Sequence, residues 1–222
     1  MTNFELESFI APIIISLKVA LTASIVVFMF SIPLAFLMAR KKFPGKSILE
    51  TFFMLPMVLP PTVVGFLLLI IFGRNSWFGQ TIEWLFNQPL IFTWWAAVVA
   101  AVVVSFPLVY QTLKSGFSSV EKEIENAARN SGASEWQVFR YITTPLSFKF
   151  FITAYILGFA RGLGEFGATI MFAGNIPNKT QTISTAIYLA ADTGNMTLVW
   201  LWVVSIILIS FFMLWVVNRS NN

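Results

Sequence analysis

The sequence predicts an all-α integral membrane protein with five transmembrane helices. Of the 222 residues, 57% are hydrophobic and 11% are charged, and the mean hydropathy is +0.79. That leaves far too little polar surface for a soluble globule of this size. Five apolar stretches are each long enough to cross about 30 Å of hydrocarbon. One long polar interval, residues 114–146, separates the third stretch from the fourth, and we expect residues 1–222 to form a single transmembrane domain.

The composition excludes several kinds of chemistry. The chain contains neither histidine nor cysteine, which removes imidazole catalysis, thiolate metal sites and disulfides. We therefore expect no catalytic residue, no metal site and no cofactor. The pI near 9.5 could indicate nucleic-acid binding. However, the basic residues cluster between the apolar stretches, as they do at a cytoplasmic membrane face, so we expect no nucleic-acid partner.

The first predicted span covers residues 9–39. Two acidic residues precede it, so it lacks the basic start of a cleavable signal peptide and we expect it to be retained. Lys18 lies inside the span, and its amine either reaches the interface or faces a pore. Residues 40–46 then include four basic residues and a Pro-Gly turn. By the positive-inside rule this loop is cytoplasmic, which places the N-terminus outside.

The second span, residues 48–72, is predicted to be a broken helix. Pro56, Pro60 and Pro61 fall within six residues, and such a series cannot continue a regular helix. Irregular backbone at membrane depth is tolerated where it lines a cavity or is buried in protein. We therefore expect these prolines to face a path through the membrane or a partner helix; a simple kink is the alternative.

Glycines are concentrated in the fourth span, residues 147–172, which follows a third span over residues 90–113 and precedes a fifth over residues 196–217. They are Gly158, Gly162, Gly164 and Gly167. The first two stand four residues apart, a spacing that allows two membrane helices to approach closely. We expect this run to serve helix packing.

Two charged residues lie in the same run. Arg161 and Glu165 are four residues apart, so they can neutralise each other on one helix face. Charges at this depth are costly and mark a functional path by default, with a structural ion pair between helices as the alternative. Thr180, Gln181 and Thr182, in the external segment that follows, are neutral hydrogen-bond donors, which suit either a path for anions or an ordinary solvated surface.

The basic residues predict the topology of the whole chain. Ten lie on the proposed inner side, in residues 40–46, in residues 114–149 and at Arg219, while two, Arg74 and Lys179, lie outside. This asymmetry predicts an N-terminus outside and a C-terminus inside, with the polar interval in the cytoplasm.

The polar interval has the pattern of two short helices. Ser118 and Glu121 have the spacing of a capping box, which predicts the start of the first helix. Gly132 suits the left-handed residue that ends it, since glycine has no β-carbon to clash there. Ser134 with Gln137 is a second capping box, which opens the next helix. Helices of about ten residues are marginal alone in water, so we expect the two to dock against something.

Residues 126–145 resemble the EAA loop of ABC importer permeases, whose pattern is Glu-Ala-Ala-x3-Gly-x9-Ile-x-Leu-Pro. The spacing is matched throughout. Asn126 replaces the glutamate, with Glu125 beside it, and Thr144 replaces the leucine. The resemblance implies that these cytoplasmic helices couple transport to a separate ATPase subunit. The coupling residues that it implies are Glu125, Asn126, Ala127, Ala128, Gly132, Ala133, Ile142 and Pro145.

A narrower resemblance, to the molybdate permease subunits of the molybdate/sulfate branch, covers nearly the whole chain. It is carried by residues 161–177 and 179–188 and by the loops at residues 43–46 and 55–62. It implies an ABC importer permease core fold with cytoplasmic coupling helices, in the cell membrane of a prokaryote. It also implies an external molybdate-binding protein and two ATP-binding-cassette ATPase subunits as partners, with sulfate or tungstate as the alternative substrate.

Two classes of function compete for this sequence. A permease subunit would work as a homodimer surrounded by membrane lipid, because one chain has too few helices to enclose a sizeable path and two-fold symmetry is the commonest assembly. A self-contained channel or secondary carrier would use Arg161, Glu165 and Lys18 as its charges. Such a carrier would need no folded cytoplasmic helices. We therefore expect a transport subunit that is not an enzyme, with ATP hydrolysis in a partner and alternating access to the path.

Overall fold

The computed structural model describes the backbone of residues 3–221 and the side chains of residues 7–215 and Arg219. Within residues 3–221 every regular element is helical, which confirms the predicted all-α fold. In chain order the elements are α1 (Asn3–Arg40), α2 (Lys46–Val58), α3 (Pro61–Phe72), α4 (Trp77–Phe86), α5 (Trp94–Ser118), α6 (Lys122–Asn130), α7 (Glu135–Val138), a π turn (Phe139–Thr143), α8 (Thr144–Leu146), α9 (Phe148–Leu163), α10 (Gly167–Phe172), α11 (Ile183–Asp192) and α12 (Met196–Asn221).

Three helices, α1, α5 and α9, pack side by side at the centre of the molecule. Small residues let them approach closely. A β-carbon at Gly162 of α9 would lie 3.8 Å from the Cα of Ala20 in α1 and 3.7 Å from the Cβ of Ala101 in α5. Aromatic side chains fill the core nearer the polar interval, where the rings of Phe36 and Phe117 have centroids 5.4 Å apart. Gly162 therefore lies where the three helices meet.

The second predicted span is broken, as its prolines indicate. The chain bends by 113° between α2 and α3, and the break lies at Leu59 and Pro60. Pro60 has extended backbone, and Pro61 opens α3 at a position where no backbone N–H is needed. Pro56 lies inside α2, before the break. The fourth predicted span is interrupted as well, at residues 164–166 between α9 and α10.

The first helix of the polar interval begins later than the sequence predicts. α5 continues to Ser118 with Ser119 as its C-cap, so the expected capping box of Ser118 with Glu121 is wrong. Glu121 is instead the N-cap residue of α6 and makes no side-chain capping hydrogen bond. The reason is tertiary packing, because Phe117 is completely buried against Phe36 of α1 and keeps the last turn of α5 helical.

Three helices, α1, α5 and α12, are long and apolar enough to cross a membrane. Counting each of two bent pairs as one span, α2 with α3 and Glu135–Leu146 with α9, would raise the number to five. α5 begins at Trp94, a few residues after the predicted start of its span, because the Thr93 side chain accepts a hydrogen bond from the Ala96 N–H and caps the helix there. The described chain therefore offers three to five spans.

Gly158 offers a test of helix packing. A β-carbon there would lie 2.7 Å from Cγ2 of Val109, a fully buried β-branched side chain that has little freedom to move aside. We expect Gly158→Ala to lower the stability of the folded protein by roughly 1–3 kcal/mol, the usual cost of overpacking. Adding Val109→Ala should recover most of that loss. The midpoint of thermal unfolding in detergent measures both.

Gly164 is exposed and lies at no close helix contact, so the packing role expected for it is wrong, and Gly164→Ala is the matched control for this prediction. A β-carbon at Gly164 would have its nearest neighbour, the Ala160 carbonyl oxygen, at an ordinary distance of 3.7 Å. We expect that variant to unfold close to the wild-type midpoint. Equal losses for Gly158→Ala and Gly164→Ala would contradict a specific packing role for Gly158.

Candidate functional site

The polar interval folds into two antiparallel arms, α6 and the continuous stretch of α7, π turn and α8, which we call the helix pair (residues 122–146). Gly132 ends the first arm with φ +89°, the left-handed conformation predicted for it. The capping box predicted for the second arm is confirmed. The Ser134 N–H donates to Gln137 Oε1 at 2.8 Å, and the Gln137 N–H donates to Ser134 Oγ at 3.3 Å.

One face of the helix pair is buried against the ends of α1 and α5. The ring of Phe139 lies with its centroid 4.9 Å from that of Phe36 in α1 and 6.2 Å from that of Phe117 in α5. Val138 and Thr143 beside it are buried as well. The short helices are predicted to dock against something. On this face they dock against α1 and α5 of the same chain.

Glu125 is the polar centre of that buried face. Its side chain is 2% exposed. Its Oε1 accepts hydrogen bonds from Thr143 Oγ1, at 2.7 Å, and from the guanidinium of Arg40 at the end of α1. Arg129 lies 3.5 Å from its Oε2. A buried carboxylate is costly unless it is paired and hydrogen-bonded, and these partners satisfy that requirement.

The helix pair also carries large apolar side chains that are open to solvent. Ile124, Trp136 and Tyr141 are all exposed, Trp136 by 65%, and we call them the exposed face. Contiguous exposed apolar surface marks protein–protein interaction sites, and buried aromatic anchors carry much of the binding energy at such sites. The exposed face is therefore a candidate docking surface for another protein.

The eight residues implied by the EAA resemblance are all brought together in the helix pair, but they differ in exposure. Asn126, Ala127, Gly132 and Pro145 are exposed, Ala128, Ala133 and Ile142 are half-buried, and Glu125 is buried. A motif defines spacing along the chain and does not say which positions turn inward. Arg40 and Thr143, which hold Glu125, lie outside the motif's defined positions and were not predicted as site residues.

Arg129 ties the two arms of the helix pair together near the turn. Its Nε donates to Glu135 Oε1 at 2.7 Å, and its Nη1 donates to Asn126 Oδ1 at 2.9 Å. The hydrogen bond between Arg129 and Glu135 lowers the pKa of the Glu135 carboxyl and raises the pKa of Arg129. Both groups therefore stay charged at neutral pH. Because the pair is open to solvent, it orients the turn more than it stabilises the fold.

A second group of predicted residues lies at the two helix breaks. Arg161, in the last turn of α9, donates to Glu165 at 2.8 Å. The predicted ion pair is therefore confirmed, but the two residues do not share a helix, because α9 ends at Leu163 and Glu165 lies in the break. There it is buried, and its Oε1 accepts the N–H of Ala168 in α10 at 2.8 Å. The ion pair therefore fixes the geometry of the break.

The helices that follow the two breaks, α3 and α10, pack at very short range. A β-carbon at Gly65 would lie 2.8 Å from the Cα of Ala168, and one at Gly167 would lie 2.8 Å from the Cβ of Pro61. Any side chain at these glycines would have to push the helices apart. The two breaks therefore lie side by side, with Pro60 and Pro61 exposed at their edge.

The threonines predicted for the external segment already have partners within the chain. Thr180 Oγ1 accepts the Ile176 N–H at 3.0 Å, and the Thr182 N–H donates to Thr185 Oγ1 at 2.9 Å in a capping box that opens α11. Thr180 and Thr182 are buried, whereas Gln181 is half-buried. Of the three, Gln181 has surface left for contact, and their role in a path stays a prediction.

Arg74 and Lys179, the two basic residues assigned to the outer side, line one cavity of about 530 Å³. Gln88 and Thr93 contribute neutral polar groups to its wall. Arg74 is held loosely by Glu83, with 3.8 Å between Nε and Oε1. Clefts lined by one sign of charge raise the local concentration of the opposite ion. This end of the molecule is therefore suited to attracting anions.

The buried acidic side chains in the described part of the chain have structural partners. In the part of the chain that the structure describes, no three acidic, histidine or cysteine side chains come together as they would around a metal ion. Glu125 and Glu165 are each paired with an arginine. Glu125 therefore joins α6 to α1 and to the π turn, and Glu165 holds the backbone at the start of α10.

Comparison with known proteins gives three consistent matches. The chain matches the family model described as "Binding-protein-dependent transport system inner membrane component" over residues 31–221. It is 53% identical over 220 residues to the "Putative molybdenum transport system permease protein YvgM" of Bacillus subtilis (strain 168), covering 99% of this chain and 97% of that relative. It is 44% identical over 181 residues to the "Molybdenum transport system permease protein ModB" of Escherichia coli (strain K12), covering 82% of this chain and 79% of that relative.

Among solved structures, the fold is similar to that of a chain of the MetNI methionine ABC transporter in inward-facing conformations. The TM-score is 0.75 at 14% sequence identity, covering 99% of this chain and 97% of that chain. At this identity the likeness concerns the fold alone. The family match, by contrast, spans the helix pair and both helix breaks. The chain belongs to the family of binding-protein-dependent transport system inner membrane components.

Proposed function

We propose that the chain is the permease subunit of an ATP-driven importer of molybdate. The observation that carries this proposal is the exposed face of the helix pair, which is suited to docking another protein. The substrate is proposed from the 53% identity to a relative named for molybdenum transport. Members of the family are membrane transport components, not enzymes, and they work with an ATPase and a substrate-binding protein. ATP hydrolysis therefore belongs to a separate subunit.

In this proposal the chain forms one transmembrane domain that crosses the membrane five times, with its N-terminus outside and its C-terminus inside. The spans are α1, α2 with α3, α5, α9 with α10, and α12. The positions of the basic residues support this topology. The contact of Arg40 with Glu125 joins the basic loop of residues 40–46 to the helix pair at one end. Arg74 and Lys179 share the cavity at the other end, so the positive-inside rule makes the first end cytoplasmic.

Two copies of the chain enclose the path. One chain has too few helices to surround a route for an anion, and a two-fold dimer is the commonest closed assembly. Few residues of α12 are fully buried within this chain, and Pro60 and Pro61 are exposed at an open edge, which supports further contacts with a second copy. Surfaces that the second copy leaves uncovered would meet membrane lipid.

The helix pair is the part that we propose engages the ATPase. Its exposed face, together with the exposed Asn126, Ala127 and Pro145, would occupy a groove on that subunit. Its buried face is joined to α1 and α5 through Glu125 and Phe139. Closure of two ATPase subunits on ATP would therefore move both helices and alternate the access to the path. The external molybdate-binding protein would deliver its anion at the opposite end.

The proposed path passes the two helix breaks, and Arg161 provides its test. One end of that guanidinium is held by Glu165, yet 34% of the side chain is exposed, which leaves N–H donors free for an oxyanion. We expect Arg161→Gln to lower uptake by the reconstituted complex about tenfold, the equivalent of roughly one charge-assisted hydrogen bond. Arg161→Lys, which keeps the charge, should lose less. Unchanged uptake in Arg161→Gln would remove this residue from the path.

Uptake into vesicles that contain the permease, the ATPase and the binding protein tests the function itself. We expect uptake of labelled molybdate that requires ATP, with unlabelled molybdate competing more strongly than sulfate or tungstate. Stronger competition by sulfate or tungstate would change the substrate and leave the importer intact. Uptake without the ATPase or without ATP would reject the importer in favour of a self-contained channel or carrier.

A further inference from the structure

Arg40 makes a buried contact with the helix pair from outside it. It is the last residue of α1, and its guanidinium donates to Glu125 of α6, 85 positions further along the chain. The Arg40 side chain is 14% exposed and that of Glu125 only 2%. A carboxylate enclosed in this way has no surface left for a partner protein. Glu125, the charged residue among the predicted coupling residues, therefore acts inside the permease.

The contact joins two groups that depend on each other. Within the described residues, Arg40 Nε is buried without a hydrogen-bond partner, so Glu125 is what compensates the buried guanidinium. Removing Glu125 would leave the Arg40 charge uncompensated, and removing Arg40 would leave Glu125 with Arg129, 3.5 Å from its Oε2, as its charged partner. Replacing both members of a buried ion pair is, by contrast, often neutral for stability. Stability alone therefore does not explain why the pair is present. What it supplies is one fixed position of α6 on the end of α1.

α1 extends from the Arg40–Glu125 contact to the far end of the molecule. The helix has 38 residues, which corresponds to about 57 Å at 1.5 Å per residue. Near its start, Ser16 Oγ accepts the N–H of Ile183 in α11 at 2.7 Å, and the Phe9 carbonyl accepts the indole N–H of Trp202 in α12 at 2.9 Å. Between these ends it packs along α5 and α9. α1 therefore connects Arg40 and the helix pair to α11 and α12 through a chain of direct contacts.

We propose that Arg40 is a positioning residue for energy coupling, which fastens the helix pair to α1 through Glu125 so that movement of the ATPase moves α1. The proposal rests on the proposed function of the helix pair. It assigns different tasks to residues of one motif. The exposed face contacts the ATPase, and Glu125 transmits the movement inward.

The test compares Arg40→Gln, Glu125→Gln and the double variant in the reconstituted complex of permease, ATPase and binding protein. The readout is the amount of anion imported per ATP hydrolysed. We expect each single variant to lower this ratio about tenfold, which lies within the usual range of coupling free energies. The double variant should be no worse than either single one, because both act through one contact. The amount of ATPase recovered with the permease should stay unchanged in all three.

Several further variants separate coupling from general damage. Arg40→Lys keeps the charge and should recover most of the ratio. Thr143→Val removes the second hydrogen bond to Glu125 Oε1 and should lower the ratio by a smaller factor. Glu50→Gln and Lys114→Gln are matched controls, because these residues form a 2.7 Å ion pair between α2 and α5. Both controls should keep the wild-type ratio. If Arg40→Gln fails to insert, a wild-type ratio in Thr143→Val overturns the proposal and a lowered one upholds it.

Two other outcomes would overturn the proposal. The first is a wild-type ratio in Arg40→Gln. The second is loss of the ATPase from Glu125→Gln but not from Arg40→Gln, with additive effects in the double variant, which would mean that Glu125 contacts the ATPase directly. Failure of the proposed function is visible separately, since the wild-type complex would then lack ATP-dependent uptake.

Discussion

Gly132→Pro is expected to abolish uptake and the recovery of the ATPase with the permease. Gly132 has φ +89°, and its N–H donates to the Arg129 carbonyl at 2.9 Å. Proline fixes φ near −65° and has no N–H, a change that costs about 3 kcal/mol or more in regular structure. If the substitution raises the free energy of the ATPase-bound conformation by that amount, association of the permease with the ATPase weakens by roughly a hundredfold. Co-purification of the ATPase from detergent-solubilised membranes, together with ATP-dependent uptake, measures the effect.

Gly194→Pro is the matched control for this variant. Gly194 has φ +77°, and its N–H donates to the Ala191 carbonyl at 3.1 Å, in the turn between α11 and α12. The damage to the local backbone is of the same kind, but this turn lies outside the helix pair. We expect the ATPase to be recovered with Gly194→Pro. Recovery with both variants, or with neither, would contradict the role given to the helix pair.

Trp136→Ala is expected to weaken binding of the ATPase while leaving the permease folded. The indole is 65% exposed and stacks on Phe139 with ring centroids 5.7 Å apart, so its outer side is available to a partner. Truncating an aromatic residue at the centre of an interface typically costs at least about 2 kcal/mol. That corresponds to a roughly 30-fold higher Kd. Titration of the purified ATPase onto the permease in lipid nanodiscs measures it.

Trp84→Ala provides the comparison. Trp84 in α4 is 81% exposed, so the same truncation removes a similarly open indole outside the helix pair. We expect the Kd for the ATPase to stay at the wild-type value. A Kd that is unchanged in Trp136→Ala, or raised equally in both variants, would show that the exposed face is not where the ATPase binds.

The features of the helix pair that sequence predicts well are those with local causes. The left-handed turn at Gly132 and the capping box of Ser134 with Gln137 depend on residues within a few positions of each other, and both are confirmed. The break after α2 follows from prolines in series. The capping box expected at Ser118 fails because burial of Phe117 on α1 extends α5 beyond it. Tertiary packing there overrides a local signal.

The contacts that organise the site could not be predicted, because they join residues far apart in the chain. Arg40 and Glu125 are 85 positions apart, and Ser16 and Ile183 are 167 apart. Spacing patterns carry no information on such pairs. In the sequence Arg40 is one of several basic residues in a loop, and its charge indicates topology alone. The position of Glu165 has a different cause: its partners Arg161 and Ala168 are near in sequence, but no short pattern shows that α9 ends before it.

A single cysteine at Ala127 tests the central claim most directly. The chain has no native cysteine, and Ala127 is exposed on the helix pair. In vesicles that hold the assembled complex, we expect Ala127→Cys to react with a membrane-impermeant thiol reagent only from the cytoplasmic side, and to cross-link to the ATPase subunit. Labelling from the outer side, or no cross-link in a complex that hydrolyses ATP, would contradict the coupling role of the helix pair.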